Sequence, residues 1–230
     1  MNPNNKYTIM QQSVNDHGAT LWNINNREPV VGPFDQHNVW ADYDEFLFKN
    51  IDTANKIALD FGCGPGRNIV KFANRFSNID GVDISDINLK NAKLWLQANN
   101  VPTTNKLIKN NGVDISDVES NTYDIVFSTI AMQHICVYDI RFNLLKEFFR
   151  VLKSGGHVCL QMGFGEGHKS AKNYYDNTHY LEYYDTKIVN PTEPKLDLEK
   201  IGFINFDYDI RPVGPGDIHD NWIFFRALKP

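Results

Sequence analysis

Apolar and polar positions in this chain follow two alternating periods. Short apolar runs bounded by Gly, Asn, Asp or Pro predict strands at Lys56–Gly62, Asn78–Ile84, Asn105–Lys109, Tyr123–Ser128, His157–Gly163, Ile204–Ile210 and Trp222–Leu228. Between them the spacing becomes helical. Arg67–Phe76 follows a glycine-rich turn, and Asp86–Asn99 carries Ile87, Leu89, Ala92, Leu94 and Leu96, with Ser85 or Asp86 as N-cap. Tyr138–Leu152 carries Ile140, Phe142, Leu144, Leu145, Phe148, Phe149 and Leu152 and stops at Ser154-Gly155-Gly156. Strands alternating with helices predict a parallel sheet built from right-handed crossovers. The link Pro212–Asp217 is too short for a crossover helix, so the last two strands should pair antiparallel. The expected fold is α/β: a doubly wound, seven-stranded, mostly parallel sheet with an antiparallel C-terminal hairpin.

One junction carries candidate chemistry. The apolar run Ile57-Ala58-Leu59-Asp60-Phe61 enters the turn Gly62-Cys63-Gly64-Pro65-Gly66, and Arg67 opens a helix. Glycine lacks a Cβ and tolerates φ > 0, so such a turn lets a ligand approach the backbone. About 20 residues further on, where a doubly wound fold grips a ribose diol, Gly81-Val82-Asp83-Ile84-Ser85 reads as a second strand ending in an acid. The NAD(P) fingerprint G-x-G-x-x-G fits Gly62 and Gly64 but places Arg67 at its third glycine. Asp60 also stands where a pyrophosphate would lie; a carboxylate there repels phosphate and suits an ammonium. A ligand with a ribose and an ammonium but no phosphate is S-adenosylmethionine. No Gly-Lys-Ser/Thr follows the turn, which excludes a P-loop.

These residues resemble the class I S-adenosylmethionine-dependent methyltransferases. Leu59–Gly66 is similar to their first motif, Val82-Asp83-Ile84-Ser85 to the strand-two acid, Tyr123–Ser128 to the fourth strand, and Phe149–Gly156 to the helix end and turn before the fifth. The resemblance spans residues 56 to 165 and implies a Rossmann-like methyltransferase fold with S-adenosylmethionine as cofactor. It implies that the backbone of Gly62, Cys63 and Gly64 faces the methionine and ribose, and that Asp60 serves the amino group directly or through water. Asp83 then takes the ribose hydroxyls and Ile84 packs on the adenine. Relatives commonly place an acid-bearing turn after the third strand, against the adenine amine. This chain reads Asn110-Asn111-Gly112-Val113-Asp114 there, leaving Asn111, Gly112, the Val113 backbone and Asp114 as candidates. Ser128 and Thr129 end the fourth strand beside the transferring methyl. Arg67 is read as an exposed helix-start arginine, with a carboxylate partner as the alternative.

Two segments lie outside this core. Residues 1–50 are expected to form a lid or acceptor-side segment, and residues 51–230 the methyltransferase domain, with a tyrosine-rich insertion at about 164–200 that includes Tyr174, Tyr175, Tyr180, Tyr183 and Tyr184. Ligands of open α/β sheets bind outside the C-terminal ends of the strands. The resemblance therefore implies that these additions cover the cofactor, with His37, Trp40, Tyr43 and Tyr180 as candidate lid or acceptor residues. Packing of an extra helix or a dimer interface explains the tyrosines equally well.

Composition narrows the partners. A formal charge of −5 with no Lys/Arg block argues against nucleic acid and anionic membranes. No apolar run reaches the ~20 residues a membrane span needs, and the polar, Asn-rich Met1–Asn15 is not a signal peptide. Cys63, Cys136 and Cys159 read as reduced, buried residues of a cytoplasmic protein. Nothing in the pattern speaks to oligomeric state.

Methyl transfer from a sulfonium is an in-line displacement that needs alignment, exclusion of water and, for some acceptors, removal of a proton. His134, six residues after Ser128 in Ser128-Thr129-Ile130-Ala131-Met132-Gln133-His134, is the candidate base. The alternative is a histidine that shapes the loop. Asp217, His219 and Asp220 form a polar turn read as solvated, so no metal is expected. The Pro-Pro run with which many base-modifying enzymes follow their fourth strand is absent from Ser128-Thr129-Ile130-Ala131. A small-molecule acceptor, methylated on O or N, remains: a sugar, a nucleotide-sugar or a natural product. The competing readings are a non-catalytic scaffold or cofactor sensor, and a protein methyltransferase.

Overall fold

Strands buried on both faces are rich in Val, Ile and Phe, and they assemble into a parallel sheet. In the computed structural model, which describes residues 3–21, 42–102, 104–166, 171–177, 184–213 and 219–230, these are β1 (Ile57–Phe61), β2 (Asn78–Asp83), β3 (Leu107–Lys109), β4 (Tyr123–Thr129) and β5 (Leu152–Phe164). Two short strands, β6 (Lys172–Asn173) and β7 (Thr186–Lys187), pair separately. The last two are β8 (Ile204–Pro212) and β9 (Asn221–Leu228). The main sheet has seven strands in the order β3-β2-β1-β4-β5-β9-β8. β1 to β5 run parallel, while β9 pairs antiparallel with both β5 and β8. All seven expected strands form, and the C-terminal hairpin closes the sheet.

Alternate residues of each strand feed opposite layers. On one face Leu59, Phe61, Val126 and Leu160 pack against Ile140, Leu144 and Phe148 of α5 (Tyr138–Val151). On the other, Ala58, Ile125 and Phe127 meet Ile69 and Phe72 of α3 (Arg67–Phe72), Leu96 of α4 (Asp86–Ala98), and Tyr43 and Leu47 of α2 (Tyr43–Leu47). Ser85 is the N-cap of α4, accepting from the Asn88 amide at 3.2 Å. The helix expected at Arg67–Phe76 ends four residues early. All three cysteines are buried and none is in a disulfide.

Two helices carry no clear sequence signal. One is α6 (Thr192–Ile201) in the insertion. The other is α1 (Pro3–Leu21), whose composition is mostly polar. Tertiary contacts hold α1 in place: Tyr7 is fully buried, Ser85 Oγ donates to Asp16 Oδ1 at 2.5 Å, and Asn91 Nδ2 donates to the Ala19 carbonyl at 3.3 Å. Gln11 Nε2 donates to the His134 carbonyl at 3.0 Å, so α1 lies across the C-terminal ends of β1, β2 and β4. Among the described residues, no helix is long and apolar enough to cross a membrane.

Candidate active site

The turn after β1 adopts the conformation its glycines permit. Gly62, Gly64 and Gly66 have φ of +72°, +52° and +81°. The Gly62 and Cys63 amides donate to the Val82 carbonyl at 2.8 and 3.0 Å, tying the turn to β2. A Cβ on Gly62 would lie 2.2 Å from the Cβ of Ala131, in the 3-10 turn Ala131–His134 that follows β4. A Cβ on Gly64 would meet nothing within 4 Å, because that backbone faces open space. Gly62→Ala is therefore expected to cost about 2–4 kcal/mol, from strain at positive φ and from displacement of Ala131. A thermal melt checks it; an unchanged midpoint contradicts the close approach.

The open space is a cavity of about 380 Å³ at the strand ends, with one face of α1 as its roof. Asp83 lies in its wall. Its Oδ2 accepts from the Gly64 amide at 2.8 Å, and its Oδ1 accepts from the Ser85 amide at 2.8 Å and from Asn88 Nδ2 at 3.3 Å. Burial pushes the Asp83 carboxyl above its usual range, although those three donors pull the other way.

Asp60 sits behind the glycine turn with no exposed surface, and neither carboxylate oxygen has a hydrogen-bond partner of ordinary geometry. The nearby Asn68 amide donates instead to Thr129 Oγ1 at 2.8 Å. Burial pushes the Asp60 carboxyl up to about 8; the Arg67 cation opposes the rise and the Asp83 charge adds to it. Arg67 is only 9% exposed and lines the cavity, which corrects its reading as an exposed helix-start residue. Burial lowers the pKa of its guanidinium, and Tyr43 and Asp60 oppose that shift.

Of the expected site residues, Gly62, Cys63, Gly64, Asp83, Ile84, Gly112, Thr129 and His134 reach the cavity wall. Others do not. Ser128 is buried and donates to the Phe61 carbonyl at 2.8 Å. Asn111 Oδ1 accepts from the Val113 and Asp114 amides at 2.9 Å each, and Asn111 Nδ2 donates to Asp114 Oδ1 at 2.9 Å. These side chains thus hold their own turn, while the Val113 carbonyl accepts from Asn143 Nδ2. Asn110, overlooked in the sequence, lines the cavity with a buried side-chain oxygen that has no partner.

Tyr43 is a core residue rather than a lid residue, packed edge-on against Trp222 and Phe224 with ring centroids 5.1 and 5.2 Å away. His37, Trp40 and Tyr180 lie outside the described residues, as does Asp217. Sequence reasoning missed that Tyr7, Gln11, Asn15 and His17 of α1 line the cavity. The signal was there only as an i, i+4, i+8 face within a polar helix.

His134 lines the cavity with 34% of its side chain exposed, and its Nδ1 is 2.7 Å from Asp185 Oδ1. Burial alone would raise the Asp185 carboxyl, but hydrogen bonds from His134 and His219, together with their charges, hold it well below the usual carboxylate range. Among the described residues, no group of three or more His, Cys, Asp or Glu is placed to hold a metal.

Comparison with known proteins gives a domain match and a fold. Residues 59–160 match the family model described as a methyltransferase domain. No curated protein matches the chain. Among solved structures, Haemonchus contortus phosphoethanolamine N-methyltransferase 2, in complex with phosphomonomethylethanolamine and S-adenosylhomocysteine, is 20% identical with a TM-score of 0.69. That match covers 98% of this chain and 60% of that one. A chain from the Haloferax volcanii complex with the Trm112 methyltransferase activator is 14% identical over 96% of each chain, TM-score 0.64. The [4+2]-cyclase SpnF is 14% identical, TM-score 0.64, covering 86% of this chain and 83% of its own. At these identities the likeness establishes the fold. The chain spans 60% and 57% of the two phosphoethanolamine methyltransferase structures it matches. The matched domain, the sheet order and the glycine turn agree: residues 59–160 are similar to a methyltransferase domain, set on the fold of the class I methyltransferases, which use S-adenosylmethionine as methyl donor.

Proposed function

We propose that the chain binds S-adenosylmethionine in this cavity and transfers its methyl group to O or N of a small-molecule acceptor. The observation that carries this is a pair of buried carboxylates at one glycine turn: Asp83 in the cavity wall, and Asp60 with two partnerless oxygens behind it. Partnerless buried carboxylate oxygens are costly unless a ligand or water satisfies them. The sulfonium supplies a methyl group already activated for displacement.

The residues present fit that group. Asp83 has acceptor capacity left for the ribose hydroxyls. The open backbone at Gly64 admits the ligand, Arg67 is placed for its carboxylate, and Asp60 meets its ammonium directly or through water. Ile84 packs on the adenine, and the Asn110 side-chain oxygen accepts from the adenine amine. Thr129 and the 3-10 turn border the transferring methyl. His134 removes the acceptor proton.

The roof formed by α1 favours a small acceptor over a protein segment, since the cavity has the size of a small-molecule site. On this assignment α1 is the acceptor-side lid and residues 51–230 are the methyltransferase domain. Three buried cysteines outside any disulfide fit a reducing cytoplasm. The phosphorylated amine bound by the Haemonchus enzyme makes phosphorylated amino alcohols the first acceptors to test, beside sugars, nucleotide-sugars and phenols. Methyl-labelled S-adenosylmethionine incubated with that panel should give a labelled product from one class. Label carried only into added protein would replace the small-molecule reading.

Asp60 adds a pH signature. Its carboxyl is neutral below about 8, whereas an ammonium partner requires the ionised form. Binding of S-adenosylhomocysteine at pH 7 should therefore release a proton, and affinity should rise by up to ~tenfold per pH unit until about pH 8. Calorimetry in buffers of different protonation heat reads this, and Asp60→Asn should abolish the release. The stability sign follows from the same raised value. The ligand-free fold keeps this contribution below the unfolded 3.8 and loses it as pH rises through about 8. Asp60→Asn should remove that loss while weakening binding.

A further inference from the structure

We propose that Asp185 is the positioning residue of His134, and that His219 holds Asp185 from its other side, so that three distant segments decide which ring nitrogen of His134 takes the acceptor proton; this rests on His134 being the base. His134 ends the 3-10 turn after β4, Asp185 precedes β7 in the insertion, and His219 precedes β9. Asp185 Oδ1 lies 2.7 Å from His134 Nδ1, and its Oδ2 lies 3.3 Å from His219 Nε2. The side chains of Asp185 and His219 are 8% and 2% exposed, against 34% for His134. One end of the relay thus meets the cavity and the other is sealed in the fold.

The surrounding structure is built around this contact. Arg141, buried on α5, donates to the Ile135 carbonyl at 2.5 Å, to Thr186 Oγ1 at 3.1 Å and to the Tyr174 carbonyl. It thereby fixes the residue after His134 to the residue after Asp185. His219 lies flat over Gly163 of β5: a Cβ there would fall 2.2 Å from the ring. Gly163 therefore leaves the space that lets His219 reach Asp185. The backbone closes the same corner, with the Ile188 amide donating to the Gly163 carbonyl at 3.1 Å and the Gly165 amide to the Ile188 carbonyl at 3.0 Å.

An ionised carboxylate accepts hydrogen bonds and donates none. Both facing nitrogens must then carry protons, which places the His134 proton on Nδ1 and its lone pair on Nε2. As the acceptor heteroatom gains the methyl carbon and the sulfur–carbon bond breaks, the heteroatom's proton passes to Nε2. The imidazolium so formed stands against the Asp185 carboxylate, and the proton later leaves to water. No electron transfer is involved.

The test is the His134 tautomer, read by nitrogen NMR on the full chain labelled with ¹⁵N-histidine and saturated with S-adenosylhomocysteine, at a pH where the ring is neutral. His134→Asn assigns the signals. Wild type should show Nδ1 protonated and Nε2 unprotonated. Asp185→Asn should shift the proton population toward Nε2 without changing S-adenosylhomocysteine affinity. His219→Ala or Gly163→Ala should broaden or partly shift the same signals. Wild-type His134 protonated on Nε2 overturns the proposal even if no variant folds, and so does an unchanged tautomer in Asp185→Asn. If the tautomer behaves as expected but His134→Asn turns over at the wild-type rate, Asp185 still positions the ring, and it is the reading of His134 as base that fails.

Discussion

Asp83→Ala is expected to weaken S-adenosylhomocysteine binding by about 10²–10⁴-fold, since hydrogen bonds to a charged group contribute ~1.5–3 kcal/mol each and a ribose offers two hydroxyls. Asp83 also organises the site it serves. It accepts from the Gly64 and Ser85 amides, joining the glycine turn to the start of α4. Alanine leaves both donors without that acceptor, so the melting temperature should fall too, by the equivalent of about 1–3 kcal/mol. Asp83→Asn separates the two effects: it keeps one side-chain oxygen for the turn but removes the charge. Its fold should survive better than its affinity. Titration calorimetry and a thermal melt on both variants decide this, and unchanged affinity in Asp83→Ala removes the residue from the site.

His134→Asn should slow methyl transfer by ~10²–10⁴-fold, the usual range for loss of a positioned base, while leaving cofactor affinity intact. Asparagine occupies similar space and can still donate to Asp185, but it has no nitrogen of suitable basicity. The Gln11 contact uses the His134 backbone carbonyl and so survives the substitution. Rates are read with the acceptor found in the labelled-methyl screen. Wild-type turnover would reduce His134 to a shaper of the cavity wall.

Local features of this protein were legible in its sequence. Apolar runs marked the central strands of the main sheet because strands covered on both faces leave few polar positions. Gly62 and Gly64 marked the turn because their φ values exclude most other residues, and Asp83 marked the end of β2 by its spacing. Features made by tertiary packing were not legible. The cavity-facing helix α1 is polar, and only its contacts with α4 and the His134 carbonyl reveal its role. Arg67 is buried by the fold of the turn over the start of α3, which no spacing predicts. Asp185 lies 51 residues from His134 and joins it only because the insertion folds back onto the 3-10 turn. Asn111 and Asp114 drew attention as polar residues after β3, yet they hydrogen-bond to each other and leave Asn110 at the cavity.

The central claim is that the cavity under α1 is built for S-adenosylmethionine. Its most direct test is calorimetric titration of the full chain with S-adenosylhomocysteine, with NADH as the control. The account predicts one-to-one binding in the micromolar range, with proton release at pH 7, and no heat from NADH. Binding of NADH without S-adenosylhomocysteine, or binding of neither, would contradict it and leave the glycine turn and its two carboxylates as structure alone.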